Sequence, residues 1–262
     1  MDRETSLLRR AMNEQWVQFR SLPFKPAFII LSATVIQIVA RFHTSRAAFR
    51  QMFYPSLGQL PSYELYEHSF WMLGDFLLQF PLLLLLIRFV IKESPRSYGF
   101  ETGNWRLGLK ASLIFWVGML PVLWWLSEDP AFMYLHPAPG PAKTDWGTFM
   151  IFEICTLVYL IGWEFIWRGY MIFGLEPQFG GFAVLIQMVP FALLHLGAPE
   201  LETFGAVIAG IGLGMLAIAT RSFWYGVLAH FLVLGTMDFF GALRVHMGEL
   251  GSGFLGVLER NF

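Results

Sequence analysis

One cysteine, Cys155, stands among 262 residues, so no intramolecular disulfide can form and no cysteine-pair metal cage can be built. Charge is scarce too: Asp, Glu, Lys and Arg make up 14% of the chain, against about 25% in an ordinary soluble domain. The formal net charge of −1 leaves no basic excess to neutralise phosphates, which argues against nucleic acid as a partner. Internal repeats, low-complexity tracts and the HExxH zinc motif are all missing. Apolar residues fill the space: 56% of the chain is hydrophobic and 17% aromatic, a composition that demands lipid as solvent. The expected fold class is therefore all-α, a polytopic transmembrane helix bundle of about seven to eight spans.

Hydropathy divides the chain into spans at 26–41, 69–91, 110–127, 149–175, 180–198, 203–220 and 222–241, each near or above the roughly 17 residues that a hydrocarbon core requires. A short or re-entrant element near 250–258 would make eight. The chain then reads as an amphipathic interfacial segment (1–25), N-terminal spans without an assigned motif (26–148), a motif-bearing core (149–241) and a C-terminal tail (242–262). In the first segment Leu8, Met12, Trp16 and Phe19 form one stripe. With no small-residue cleavage site after it, this is an interfacial anchor rather than a signal peptide. Segments 42–68 and 128–146 are looser, and Pro130, Pro137, Pro139 and Pro141 block regular helix in the second. Arg3, Arg9, Arg10, Arg20 and Lys25 precede the first span, and Arg88, Lys92, Arg96, Arg106 and Lys110 surround the link between the second and third. The 128–148 loop holds only Lys143. The positive-inside rule therefore puts the N-terminus in the cytoplasm, with Arg41, Arg46 and Arg50 running against the trend.

The chemistry-bearing residues lie after position 148. Glu164 and Arg168 sit four apart within an apolar run, so carboxylate and guanidinium share one helix face in the favourable Glu-first order. A charge at membrane depth costs several kcal/mol, or about 3 on insertion scales, and is retained mainly where it lines a cavity. His195 and His230 lie in two later apolar runs. At about 1.5 Å per residue from the inner ends, Glu164, His195 and His230 fall roughly 16, 22 and 12 Å deep, close enough to converge on one layer. A carboxylate with a neighbouring imidazole can take a proton from a water held between them, and a second imidazole can hydrogen-bond a tetrahedral oxyanion. That chemistry is peptide-bond hydrolysis without a covalent enzyme intermediate. A zinc centre is the rival, but two histidines and one glutamate form only a minimal ligand set, and pairing with Arg168 makes Glu164 a poor ligand.

The pattern Glu164-x-x-x-Arg168-Gly169, then Phe191-x-x-x-His195, then His230 in a later span, resembles the CAAX prenyl protease and bacteriocin-processing family, also called the Abi or type II CAAX endopeptidase group. The resemblance covers about 149–240. It implies a metal-independent intramembrane protease that uses a glutamate and a histidine, requires no cofactor and is set in a bacterial plasma (inner) membrane. Two positions depart from the family pattern. Trp163 stands where the first of two glutamates is usual, and Leu234 stands four residues after His230 where an asparagine is usual. Either Glu164 has taken over the base role or the chain has lost peptidase activity. Asp238, on the same face as His230, offers a substitute for the asparagine.

Blander roles compete for the same residues. A buried ion pair can fix helix packing, and a lone histidine in an apolar helix is more often a packing residue; the joint occurrence of all four favours a site. Asp75 and Gln79 read as polar glue, Glu153 as a wet interfacial carboxylate, Ala206-x-x-x-Gly210-x-x-x-Gly214 as a packing stripe, and Trp124, Trp125, Trp224 and Tyr225 as interfacial belts. The resulting expectation is an intramembrane glutamic-type endopeptidase acting on a membrane-associated protein or peptide. In it Glu164 activates water, His195 shares the proton, Arg168 holds the charge on Glu164 and His230 stabilises the oxyanion. A non-proteolytic membrane binding or immunity protein of the same family, or a small transporter, are the alternatives.

Overall fold

The computed structural model describes residues 3–248, which form thirteen α-helices joined by short turns, with no strand among the described residues. In chain order they are α1 Arg3–Arg20, α2 Phe24–Val39, α3 Arg46–Leu57, α4 Tyr63–Gln79, α5 Pro81–Leu86, α6 Trp105–Leu126, α7 Pro130–Leu135, α8 Gly140–Thr144, α9 Trp146–Glu164, α10 Ile172–Phe179, α11 Phe182–Leu193, α12 Glu200–Thr220 and α13 Trp224–His246. Tight or wide turns fuse several of these into longer rods. Among the described residues six continuous helical stretches are long and apolar enough to cross a membrane: Phe24–Leu57, Tyr63–Ile91, Trp105–Leu126, Trp146–Phe179, Glu200–Thr220 and Trp224–His246. The chain is thus an integral, multi-pass membrane protein.

The expected fifth span is shorter than its apolar run suggested. α11 has 12 residues, so it rises about 18 Å against a hydrocarbon core of about 30 Å. The expected element near 250–258 lies outside the described residues. In the loop expected to lack helix, α7 and α8 form because Pro130 and Pro141 occupy first-turn positions, where a missing N–H costs nothing. α3 likewise adds helix inside 42–68, opened by the Ser45 side chain accepting from the Ala48 N–H.

Lipid tails are as apolar as leucine, so helices in a bilayer associate through close packing rather than hydrophobic exclusion. α9 is the pivot. It packs on α4, where Gly162 lets the backbones approach: a Cβ there would come 3.1 Å from the Phe76 Cα. Residues 162–175 are buried without interruption, so this rod is enclosed by the others and lacks a lipid face in its second half. α11 and α12 pack through the small-residue stripe: Ala206, Gly210 and Gly214 are all buried, and Gly210 fits beneath Met188 and Phe191. Two of the expected belt aromatics are structural. Tyr225 is buried with its hydroxyl donating to the Thr102 carbonyl at 2.6 Å, and the Trp224 indole donates to Phe100 at 3.1 Å. Trp125 remains 63% exposed, as a belt residue should be.

Candidate active site

Glu164 ends α9, and the seven residues after it, Phe165–Met171, form a π-helical turn that carries Arg168. Such wide turns cost hydrogen-bond geometry and occur mostly at functional sites. Both Glu164 and Arg168 have 0% side-chain exposure, and the Arg168 Nη1 donates to the Glu164 Oε1 at 3.1 Å. The guanidinium also lies 4.0 Å from the Phe191 ring centroid, a cation–π contact that offsets part of its desolvation. The expected pairing of carboxylate and guanidinium is therefore present in the structure.

His230, on α13, meets the same carboxylate. Its Nδ1 lies 2.8 Å from Glu164 Oε1. A carboxylate paired with an arginine can only accept, so the Nδ1 carries the proton and the ring's lone pair sits on Nε2. The His230 side chain is 22% exposed while Glu164 is fully enclosed, so the imidazole stands between the carboxylate and open space. The other Glu164 oxygen, Oε2, faces Gly226 on the preceding turn of α13, where a Cβ would come to 2.6 Å. Gly226 is thus a site residue that motif reading passed over; its only sequence signal is a glycine four residues before a histidine in an apolar helix.

His195 lies two residues beyond the end of α11, on the turn leading to α12, rather than within a span. Its Nδ1 donates to the Phe191 carbonyl at 2.8 Å, since a carbonyl can only accept, and this leaves Nε2 free as an acceptor. The Thr203 hydroxyl holds the His195 carbonyl at 3.1 Å and fixes this turn to α12. No hydrogen bond joins His195 to Glu164 among the described residues, although the two lie within electrostatic reach. The His195 ring packs on Phe191, with centroids 4.7 Å apart, and on Trp163 at 6.2 Å. Trp163 is 8% exposed and also packs on Tyr159, Trp167 and Phe191.

Two other expectations, for Asp238 and Glu153, resolve differently. Asp238 does not reach the site: its Oδ1 is held by the Nδ1 of His136, 3.0 Å away, in the segment between α7 and α8. Glu153 is not wet; it is 7% exposed because α8 and α13 both cover that face of α9. Leu234 packs against the core as an apolar residue and supplies no donor. Asp75 behaves as glue, accepting from Thr44 and from the Trp71 indole. Among the described residues no group of three or more His, Cys, Asp or Glu is arranged to hold a metal ion.

The site's helices coincide with a family signature. The sequence profile of the family described as type II CAAX prenyl endopeptidase, Rce1-like, matches residues 145–235. That stretch is similar to the Rce1-like family. The match begins at the N-cap of α9 and ends on α13 past His230, so it contains Glu164, Arg168, His195 and His230. Over these residues the chain is similar to CAAX-type intramembrane proteases. No curated protein and no solved structure matches the chain.

Proposed function

We propose that the chain is an intramembrane endopeptidase in which His230 is the general base and Glu164 is the residue that orients and charges it. The observation that carries this reading is burial: Glu164 has no exposed surface, whereas the imidazole bonded to it does. A water at the His230 Nε2 gives up a proton as its oxygen attacks the substrate carbonyl. Glu164 stabilises the imidazolium that forms, and Arg168 keeps Glu164 ionised. The imidazolium then protonates the departing amine, the C–N bond breaks, and a carboxylic acid and an amine leave. His195, with its Nε2 free, accepts the second hydrogen of the attacking water and so aims it. In this account Glu164 moves from base to positioning residue, and His230 from oxyanion donor to base.

The substrate class is a membrane-associated protein or peptide, with the bilayer as the working environment, the N-terminus cytoplasmic and no metal taking part. The charge distribution supports the orientation, and pairing of Glu164 with Arg168 and His230 supports the metal-free mechanism. The test is cleavage of a membrane-embedded peptide library by the purified protein with and without a strong chelator. Chelator-resistant cleavage that disappears in His230→Ala supports the reading, and cleavage restored to a chelated sample by zinc overturns it.

The contact between Trp163 and His195 favours a second reading. An aromatic ring, and no carboxylate, lies against the second-motif histidine. This supports a non-proteolytic membrane-binding member of the family, for which the wild-type protein would cleave nothing in the library while retaining peptide binding.

A further inference from the structure

The bundle leaves α1 uncovered. Residues 9–24 are exposed throughout, and among the described residues no packed face joins α1 to another helix. Its apolar side chains are nevertheless sorted. At about 100° per residue, Met12, Trp16 and Phe19 share one stripe, with the Trp16 and Phe19 rings stacked 5.9 Å apart and Met12 71% exposed. Arg9 and Arg20 flank that stripe, and the Arg20 guanidinium lies over the Trp16 ring, 5.0 Å from its centroid. Cationic side chains placed in this way bury their stems against apolar surface and hold their charge at headgroup level.

Only Ser21, Leu22 and Pro23 separate α1 from α2, which opens the first membrane-crossing stretch, so α1 ends at the membrane boundary. Lys25, at that boundary, pairs with Glu93 at 2.7 Å, which brings the link between α5 and α6 to the same end of the bundle. That end is rich in cations. Lys25 and Arg221 are paired with Glu93 and Glu176, but among the described residues no carboxylate reaches Arg20, Arg88, Lys92, Arg96, Arg106 or Lys110, and all six are exposed. Arg106 lies over the Trp105 ring at 5.5 Å, repeating the arrangement of Arg20 and Trp16. The opposite end has the reverse sign: among the described residues Asp129, Asp145, Glu200 and Glu202 pair with no lysine or arginine. The end that α1 leaves from is therefore the one complementary to an anionic surface.

We propose that α1 binds anionic phospholipid, lying flat in the headgroup layer with Met12, Trp16 and Phe19 among the acyl chains and Arg9 and Arg20 on phosphates. The unpaired cations around the link between α5 and α6 extend the same footprint. A zwitterionic surface would cover the stripe but leave these cations unanswered, so the partner is a bilayer carrying net negative charge. This binding does not depend on what chemistry Glu164 and His230 perform.

The test reads burial of the stripe in the full chain reconstituted into vesicles. In a Cys155→Ser background, a fluorophore is attached at Met12→Cys, or at Val17→Cys on the far side of α1, and quenched by acrylamide, a neutral probe that does not respond to surface charge. In mixed phosphatidylcholine and phosphatidylglycerol vesicles the Met12 position should be several-fold less quenched than in phosphatidylcholine alone, while Val17 stays accessible in both. Each basic residue near an anionic surface is worth roughly fivefold in binding, so Arg9→Gln with Arg20→Gln should lower the ratio of docked to undocked helix about 25-fold. Salt at about 1 M should also undo the protection. Since α1 has no packed face, these changes should leave the thermal unfolding of the bundle unaltered. Equal protection of Met12 in both lipids, or protection that survives the double variant, overturns the proposal. So does a Met12 position quenched as strongly as Val17 in both, which would leave the stripe to a protein partner or a second copy.

Discussion

Replacing Arg168 with methionine leaves the Glu164 charge enclosed without its guanidinium. Both side chains have 0% exposure, so solvent cannot screen the loss. Breaking a buried pair from one side costs about 3 to 5 kcal/mol. The lower part of that range is expected because the His230 N–H still reaches Glu164 Oε1 at 2.8 Å. At roughly 2 to 4 °C per kcal/mol for a chain of this size, a cost of about 3 to 4 kcal/mol should lower the melting temperature in detergent by about 6 to 16 °C. Adding Glu164→Gln removes the stranded charge while leaving an amide oxygen for His230, so the double variant should regain most of the stability. It should not regain function, since a neutral amide no longer stabilises the imidazolium. The assay is thermal unfolding of the four proteins of the cycle. A double variant as unstable as Arg168→Met would show that the pair is not what the arginine serves, and the lost contact with Phe191 would then account for the cost.

Gly226→Ala should displace Glu164, because the new methyl would lie 2.6 Å from Oε2; a destabilisation of about 1 to 3 kcal/mol with loss of activity is expected, and an active, unshifted variant would show that the carboxylate has room. In the link between α5 and α6, burial pushes the Glu93 carboxyl up, but hydrogen bonds from Lys25 at 2.7 Å and Tyr98 at 2.9 Å outweigh it and hold the group below its usual value. A depressed carboxyl stabilises the fold above its unfolded value of about 4.3 and loses that contribution as pH falls through the folded value, so Glu93→Gln should flatten the acid side of the stability profile. Topology is testable by single cysteines in a Cys155→Ser background: one at Arg96 should label only from the cytoplasmic side and one at Lys143 only from outside, and the reverse pattern at both would invert the orientation.

The helices were legible because lipid-facing and enclosed helices alike are apolar, and the four-residue spacing of Glu164 and Arg168 fixed their pairing before any coordinates. Counting depth along antiparallel rods put Glu164, His195 and His230 in one layer, but did not show that His230 rather than His195 would meet the carboxylate. Other features depend on neighbours that no local pattern names. The burial of Glu153 was not legible because it comes from α13, distant in sequence, and from α8 docked back over α9. The fifth span was read too long because its apolar run continues past the end of α11. Yet a breaker was visible in Gly197-Ala198-Pro199, and Gly197 adopts φ 112°, through which no helix continues. The part played by Gly226 was hidden for a different reason: it acts by lacking a side chain.

The claim that Glu164 works through His230, rather than on water itself, is tested most directly by a double-mutant cycle in kcat/KM with Glu164→Gln and His230→Ala on one cleaved peptide. Each single change should lower the rate by about 10² to 10⁴. Adding Glu164→Gln to His230→Ala should cost almost nothing more, because the carboxylate has lost the group it orients. A further loss in the double variant equal to that of Glu164→Gln alone would contradict the account and restore Glu164 as the group that meets the water.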